Sequence, residues 1–217
     1  MDQTEAETIV RRAAAALDRA GLVHAYGHCS ARIDEETFVV SAPHSLRVAA
    51  TMPGTLCRVH GPLPQGVLGE VRVHQQIYAR RPEIAGICRV MPPVVMALST
   101  RLLVPLPRHG IGAYFDRVPL WEDPRLLRDE ESARAVAEAM GDAPAIVLRG
   151  NGAVVAAECL PKAVTLAWFL EDAARIERDV RQLGGDPKQG VLAPEEIRDR
   201  QVWSGGVVER MWDYLGG

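Results

Sequence analysis

A glutamate and a histidine stand one helical turn apart in segment 69–74, at the start of a stretch predicted to be helical. Residues four positions apart share a helix face, so Glu70 and His74 could act on the same ligand. Carboxylates and imidazoles are among the side chains that most often transfer protons in enzymes. Glu70 also fits a simpler interpretation, a solvated carboxylate that the helix dipole favours at a helix start. The spacing alone leaves both interpretations open.

The lysines and cysteines argue against covalent catalysis. The chain has two lysines among its 25 basic residues, and Schiff-base chemistry needs a lysine that a pocket desolvates. Lys162 opens a helical segment and Lys188 lies in a loop rich in glycine, so neither is expected to be buried. Cys29 and Cys88 have no evident base partner that would make either one a thiolate nucleophile.

Composition restricts the class of protein. Of 217 residues, 47% are hydrophobic and 24% are charged, as in a globular protein with a substantial core. A net charge of −3 argues against a general nucleic-acid binder, and no apolar run approaches the length of a membrane span. The four cysteines are widely spaced and the acidic N-terminus does not resemble a signal peptide. The sequence therefore predicts a cytoplasmic protein with reduced thiols, and neither nucleic acid nor a membrane as partner.

Helical and strand-like segments alternate along the chain, which predicts a single domain over residues 1–217 of mixed α and β structure. Strand pairs within 31–41 and 145–156 are joined by tight turns, so much of the sheet should be antiparallel. Thr4 and Glu7 have the spacing of a capping box for the first helix. Residues 194–214 are predicted to form one C-terminal helix.

Four segments occur in a fixed order: Gly-His-Cys-Ser-Ala-Arg at 27–32, Gly-Glu-Val-Arg-Val-His at 69–74, Tyr-Ala-Arg-Arg-Pro-Glu-Ile-Ala-Gly-Ile at 78–87, and Leu-Arg-Gly-Asn-Gly at 148–152. In this order and spacing they resemble the class II aldolase and adducin family, over about residues 5–180. The resemblance implies a three-layer α/β/α sandwich around a largely antiparallel central sheet. It also implies a homo-oligomer, usually a cyclic tetramer with active sites between subunits.

Enzymes of that family usually hold zinc or another divalent metal with three histidines, while a glutamate moves the proton. The resemblance places the glutamate at Glu70 and the ligand positions at Arg89, Met91 and Asn151. A charged arginine cannot ligate a metal, methionine is a poor ligand for a hard ion, and one asparagine cannot hold a metal alone. The sequence therefore predicts no metal and no other cofactor. The alternative is a metal rebuilt from His28, His44, His74 or His109.

Arg89 takes the place of a metal ligand at the centre of the family's pocket. Its guanidinium has a fixed charge and a planar donor fork, suited to a carboxylate or an enolate. Asn151 could donate to an oxyanion, and His28 lies in a loop that meets the substrate in the family, where it could act as a general acid. Each residue has a structural alternative: Arg89 could pair with Glu70 in an unused pocket, Asn151 could serve only the turn, and His28 could be a hydrogen-bonded structural histidine.

The remaining candidates for substrate binding are Ser30, Ser41, His74, His109 and Tyr114. Ser30 is a usual helper beside the 28 position. His109 and Tyr114 match positions that family members bring to a neighbouring subunit's site. Two segments differ from those of the family's sugar-phosphate aldolases. Their glycine-containing loop after the hairpin is Ser-Ala-Pro-His-Ser at 41–45 here, and their serine pair before the glutamate is Leu-Gly at 68–69. Both changes fit poorly with a phosphate cradle of backbone amides.

These features predict a lyase or isomerase-type enzyme, aldolase-like or decarboxylase-like, that acts through an enolate-like intermediate. Its small-molecule substrate is expected to be unphosphorylated and to bear a carboxylate, with Glu70, Arg89 and His28 as the catalytic residues. Two alternatives remain: a metal-dependent lyase with relocated ligands, and a non-catalytic binding module like the adducin head domain.

Overall fold

Seven short strands form one sheet in the computed structural model, which describes residues 1–216. Gly217, the last residue of the predicted domain, lies outside the described residues. In chain order the strands are β1 (His28–Arg32), β2 (Thr37–Val40), β3 (Thr55–Arg58), β4 (Gly86–Val90), β5 (Leu120–Trp121), β6 (Ala145–Leu148) and β7 (Ala153–Ala157).

The strands lie in the order β3-β2-β1-β4-β7-β6-β5, so β4 is the central strand. Every neighbouring pair is antiparallel except β5 with β6, which is parallel. This confirms the largely antiparallel sheet. The register places His28 opposite Arg89 on β4, and Arg89 opposite Val154 on β7. Because directly opposed residues share a sheet face, these three side chains project to the same side.

Eight α-helices accompany the sheet within residues 1–216, the part of the chain that the structure describes. In chain order they are α1 (Gln3–Arg19), α2 (Leu46–Ala49), α3 (Arg72–Arg80), α4 (Pro93–Ser99), α5 (Glu130–Met140), α6 (Leu160–Leu183), α7 (Pro194–Arg200) and α8 (Val207–Tyr214).

The helices cover both faces of the sheet and bury two separate apolar clusters. On one face, α1, α4 and α6 pack their apolar sides against residues such as Cys29, Cys88 and Val155. On the other, α3 and α5 pack against residues that include Ile87 and Val154. The three-layer α/β/α architecture is thereby confirmed. Within residues 1–216, no helix combines the length and the apolar character needed to cross a membrane.

Two local predictions were wrong. The first helix is capped by Asp2 and Glu5 instead of Thr4 and Glu7: the Asp2 carboxylate accepts the Glu5 N–H at 2.8 Å, and the Glu5 carboxylate accepts the Asp2 N–H at 3.0 Å. An aspartate two residues earlier lengthens the helix at its start. The predicted helix over 194–214 is interrupted between α7 and α8, where Gly205 and Gly206 both have positive φ angles of 80° and 73°. Such a conformation breaks a helix.

Candidate active site

Two adjacent strands, β1 and β4, carry three of the predicted site residues on one face of the sheet. His28 and Ser30 alternate along β1, and Arg89 lies opposite His28 on β4. The alternation of a strand explains why Cys29, between the two β1 residues, belongs to the apolar cluster on the opposite face. Burial raises the pKa of Cys29 to about 12 and also raises that of Cys88. Both thiols are therefore protonated at neutral pH and poor nucleophiles.

The glycines beside His28 and Asn151 allow the chain to approach the end of β4 closely. Gly152 has φ of +77°, and a Cβ there would lie 2.0 Å from the Val90 carbonyl oxygen. Gly27 has φ of +139°, and a Cβ would lie 3.1 Å from the Arg89 carbonyl oxygen. Both positions combine a left-handed backbone with backbone contact, which glycine alone accommodates. The turn that carries Asn151 is thus held against the strand end that carries Arg89.

Helix α3 supplies the residues that face this strand pair. A 3-10 turn, Gly69–Val71, carries Glu70, and α3 follows directly. His74 and Tyr78 lie one helical turn apart on the buried side of α3. The Ser30 hydroxyl joins them, with its Oγ 2.7 Å from His74 Nδ1 and 2.8 Å from Tyr78 Oη. Tyr78 Oη also donates to the Ser30 carbonyl at 3.2 Å. This network fixes one side of the His74 ring.

His28 and His74 form a buried imidazole pair. Their ring centroids are 4.7 Å apart and their planes are inclined by 43°. Burial lowers the pKa of His74 to about 3, and the nearby Arg89 charge contributes to that shift. Burial, with His74 and Arg89 adding to it, holds the pKa of His28 well below its ordinary value. Both rings are therefore neutral at physiological pH, and a charged His28 imidazolium is not available there as a general acid.

Arg89 and Glu70 form an ion pair at the mouth of this site. Arg89 Nε lies 3.6 Å from Glu70 Oε2, while the side chains are 6% and 21% exposed, respectively. Arg89 Nη1 donates to the Val90 carbonyl at 2.9 Å and contacts Met91 Sδ at 3.0 Å. Burial lowers the pKa of Arg89, and Glu70 partly opposes that effect. Because arginine stays protonated in proteins, the site contains a fixed, buried positive charge next to a more exposed carboxylate.

The residues at this site do not fit the divalent metal of the family. The positions that the resemblance assigns to ligands hold Arg89, Met91 and Asn151, and the arginine charge would repel a cation placed beside it. Across residues 1–216, no three histidine, cysteine, aspartate or glutamate side chains come close enough together to bind a metal ion. His109, one of the alternative ligands, instead lies 3.0 Å from Asp172 through its Nε2.

A pH-dependent stability follows from the buried imidazole pair. His74 has a folded-state pKa of about 3, below the usual 6.5, so its contribution to stability is present above pH 6.5 and is lost as the pH falls toward 3. His74→Gln cannot take up this proton, and it should reduce the slope of unfolding free energy against pH by about 1.4 kcal/mol per pH unit between about pH 5.5 and 4. Urea unfolding at a series of pH values measures the slope. An unchanged slope would show that His74 does not remain neutral in the folded protein.

The structure brings together five of the predicted residues: Glu70, Arg89, His28, Ser30 and His74. Asn151 belongs to the turn that packs against the end of β4 through Gly152. It is half-buried in the turn between β6 and β7, where its N–H donates to the Leu148 carbonyl at 2.9 Å. Its neighbour Gly152 touches the Val90 carbonyl that also accepts Arg89 Nη1.

Three other candidates lie elsewhere within the chain. The Ser41 hydroxyl accepts the Cys29 N–H at 3.3 Å, which ties it to the sheet backbone. His109 contacts Asp172 and Tyr114 packs on Phe169, both residues of α6. Helix α6 covers the opposite face of the sheet from Arg89. A role for His109 and Tyr114 at a neighbouring subunit's site stays a prediction.

Two supporting residues were not identified from the sequence. Tyr78 completes the Ser30–His74 network, and its spacing of four from His74 was the available indication. Glu171 on α6 is buried, and its carboxylate accepts the N–H groups of Val94 and Val95 at 3.1 Å. It thereby satisfies the free amides in the first turn of α4, which begins two residues after Met91. Its position among the apolar residues of α6 was the available indication, and Glu177 is buried on the same helix.

Comparison with known proteins identifies the family. The family model for the class II aldolase and adducin N-terminal domain matches residues 9–178, most of the chain. The chain belongs to the class II aldolase and adducin family. This confirms the resemblance inferred from the four sequence segments.

Relatives within the class II aldolase and adducin family include both decarboxylases and aldolases. The chain is 29% identical over 181 residues to 3,4-dihydroxyphthalate decarboxylase from Arthrobacter keyseri, covering 73% of this chain and 71% of the relative. It is 28% identical to the solved L-fuculose-1-phosphate aldolase from Thermus thermophilus, with a TM-score of 0.71 and coverage of 82% and 96%. Both relatives are carbon–carbon lyases, which supports a lyase here.

The fold of the family extends over nearly the whole chain. The solved L-fuculose 1-phosphate aldolase from Glaciozyma antarctica superposes with a TM-score of 0.82. The superposition covers 98% of this chain and 89% of that one, at 16% identity. At this identity the likeness concerns the fold alone, and it extends beyond residue 178 into the C-terminal helices.

Proposed function

We propose that this protein is a lyase that removes CO2 from a small, unphosphorylated carboxylic acid without a metal ion. Arg89 binds the substrate's anionic groups and Glu70 delivers the proton that replaces CO2. The observation that carries the proposal is the buried Arg89 guanidinium, 3.6 Å from Glu70, on the central strand of the sheet. The name of the Arthrobacter keyseri relative, a decarboxylase of an aromatic diacid, supports the reaction type.

An anionic substrate would compete with Glu70 for Arg89. The Arg89–Glu70 contact exceeds hydrogen-bond distance, and Arg89 Nε has no hydrogen-bond partner. A planar carboxylate or enolate can accept two parallel hydrogen bonds from a guanidinium. Glu70, as the more exposed partner, can move aside while Arg89 stays fixed by Val90 and Met91. The displaced Glu70 side chain then lies beside the bound anion, within reach of the carbon that must be protonated.

The reaction requires an electron sink next to the carbon that bears the carboxylate. The bond between that carbon and CO2 breaks, and its electron pair moves into a conjugated carbonyl or ring, giving an enolate-like anion. Arg89 stabilises the oxygen on which negative charge develops, and Asn151, in the turn next to the end of β4, is a second candidate donor. Glu70 then gives its proton to the carbon, CO2 leaves, and the Glu70 carboxylate takes a new proton from water. Atoms and charge balance with one proton consumed for each CO2 released.

Two sequence features support an unphosphorylated substrate. The loop after β2 lacks glycine and contains Pro43 and His44, and the residues before Glu70 are Leu68 and Gly69. A phosphate cradle needs small hydroxyl side chains or successive free backbone amides. Gly69 is close to another segment, since a Cβ there would lie 3.3 Å from Arg128 Cβ.

The test is a CO2-release assay on carboxylic acids, starting with 3,4-dihydroxyphthalate, with cleavage of L-fuculose 1-phosphate measured in parallel. We expect one CO2 for each substrate consumed from at least one acid, and no cleavage of the sugar phosphate. Cleavage of the sugar phosphate without CO2 release would replace this proposal by an aldolase. A protein that turns over neither class would favour the non-catalytic alternative.

We further propose that the protein acts in the cytoplasm as a homotetramer. Four free cysteines support the location, and family membership supports the assembly. Light scattering should give a mass of about 95 kDa, four times the 23.7 kDa of one chain. A mass near that of one chain at micromolar concentration would rule the tetramer out.

A further inference from the structure

Helix α4 connects the two segments that carry Arg89 and Asn151. It begins two residues after Met91, whose Sδ lies 3.0 Å from Arg89 Nη1. Its last residue, Ser99, is fully buried, and the Ser99 hydroxyl accepts the Gly150 N–H at 2.9 Å. Seven residues of helix therefore lie between the strand end that carries the proposed anion-binding arginine and the turn that carries the second candidate donor.

The start of α4 is held by a buried carboxylate. Glu171 of α6 is 2% exposed, and it accepts the Val94 N–H and the Val95 N–H, each at 3.1 Å. The two residues between Met91 and Val94 are both proline, which fixes its own φ angle. The orientation of α4 relative to the end of β4 is therefore constrained by hydrogen bonds and by a stiff connection.

The turn that carries Asn151 needs contacts from outside because a glycine lies on each side of this residue. Gly150 and Gly152 have positive φ angles of 64° and 77°, and glycine restricts the backbone less than any other residue. Within the turn, the Asn151 N–H donates to the Leu148 carbonyl at 2.9 Å. The bond from Gly150 to Ser99 ties the turn to α4.

The Ser99 hydroxyl is suited to this task because its own proton is already engaged. Ser99 Oγ donates to the Met96 carbonyl at 2.7 Å, and a carbonyl oxygen can only accept. A lone pair of Oγ thus remains for the Gly150 N–H. The two bonds fix the position of the Ser99 oxygen and, with it, the tip of the turn.

We propose that Ser99 is a positioning residue for the decarboxylation: through Gly150 it holds Asn151 where the side-chain amide donates to the oxygen on which negative charge develops. This inference rests on the proposed function, because it takes Asn151 as a donor to the anion that Arg89 binds. Helix α4 sets the distance between the two donors. An interaction that strengthens in the transition state affects kcat more than KM when it is lost.

Steady-state kinetics of Ser99→Ala, on the acid that releases CO2 most rapidly, tests the proposal. Alanine leaves the Gly150 N–H without its partner, so kcat should fall by about 10–100-fold with little change in KM, because removing an oxyanion donor outright costs about 10²–10³-fold. Ser99→Cys keeps a similar shape with a weaker acceptor, so its loss should be smaller. Ser99→Cys also replaces Ser99→Ala if the alanine variant fails to fold.

Thr100→Ala is the matched control. The Thr100 hydroxyl donates to the Ala97 carbonyl at 2.7 Å, the same kind of bond one residue further along the chain. It does not accept the Gly150 N–H, which is bonded to Ser99. Thr100→Ala should therefore leave kcat and KM at their wild-type values.

Combination with Asn151→Ala separates positioning from general destabilisation. If Ser99 acts through Asn151, Asn151→Ala should lower kcat at least as much as Ser99→Ala does. The double variant should then be no slower than Asn151→Ala, since the two residues act as one unit. Effects that multiply in the double variant, or an unchanged kcat in Ser99→Ala, would overturn the proposal.

A second measurement does not depend on turnover. In nitrogen NMR spectra of the full-length protein, Ser99→Ala should shift the side-chain amide signals of Asn151, and Thr100→Ala should leave them in place. Unshifted Asn151 signals in Ser99→Ala would contradict the positioning role whether or not any acid is decarboxylated. Shifted signals in a protein that releases no CO2 would support the hold of Ser99 on Asn151 and overturn the proposed function.

Discussion

Replacing Glu70 by glutamine should lower turnover by about 10²–10⁴-fold, the usual contribution of a positioned acid or base. Glutamine keeps the size and shape of the side chain but carries no transferable proton at neutral pH. Substrate binding should be retained or become tighter, because Arg89 supplies the charge that holds the anion and no longer pairs with a charged Glu70. Steady-state kinetics on the acid that releases CO2 most rapidly measures both quantities.

Glu83→Gln is the matched control for this variant. Glu83 also pairs with an arginine, Arg81, at 2.8 Å, but it is exposed and is not part of the candidate site. Its replacement should leave turnover within about twofold of wild type, since an exposed ion pair contributes at most about 1 kcal/mol to stability. Near-wild-type turnover in Glu70→Gln would remove Glu70 from the mechanism.

Replacing Arg89 by lysine should raise KM by about 10–100-fold, with a smaller effect on kcat. Lysine keeps the positive charge but loses the planar fork, and one hydrogen bond to a charged group is worth about 1.5–3 kcal/mol. The variant also loses the geometry with which Nη1 reaches Val90 and Met91. The KM for the preferred acid, measured beside its affinity in the absence of turnover, gives the size of the effect.

Arg81→Lys provides the corresponding control. The Arg81 guanidinium also donates two hydrogen bonds, from Nε to the Glu83 carboxylate and from Nη1 to the Ala143 carbonyl at 3.0 Å. Arg81→Lys removes a planar guanidinium that lies outside the candidate site, so it should leave KM unchanged. An unaltered KM in Arg89→Lys would show that the guanidinium is a structural partner of Glu70 and does not bind substrate.

The sequence predicted the part of the fold that local patterns determine. The tight turns beside β2 and between β6 and β7 indicated antiparallel pairs, and the apolar periodicity gave α6 with its observed bounds, Leu160–Leu183. Motif order predicted the family and therefore the three layers. Local patterns were less reliable where alternatives compete over a few residues, as in the choice of Asp2 over Thr4 as the helix cap.

The site was predictable only in part, because its contacts join residues far apart in the chain. Glu70 and His74 share a helix face, so their proximity follows from spacing. The register that sets His28 opposite Arg89, and the bond from Ser30 to His74, depend on the packing of β1, β4 and α3. The two imidazoles are neutral because they are buried, and no sequence motif indicates that burial. The role of Glu171 depends on tertiary packing in the same way, because its carboxylate accepts a hydrogen bond from the first turn of α4.

We propose that Arg89 does here what a metal ion does elsewhere in the family. The most direct measurement is CO2 release by protein dialysed against EDTA, with elemental analysis of the same sample for zinc, manganese, iron and cobalt. A family member that keeps the three histidines serves as the positive control for metal removal. We expect full turnover at far less than one metal ion per chain, and no gain when metal is added. Turnover that is lost with the metal and restored by about one equivalent would contradict it.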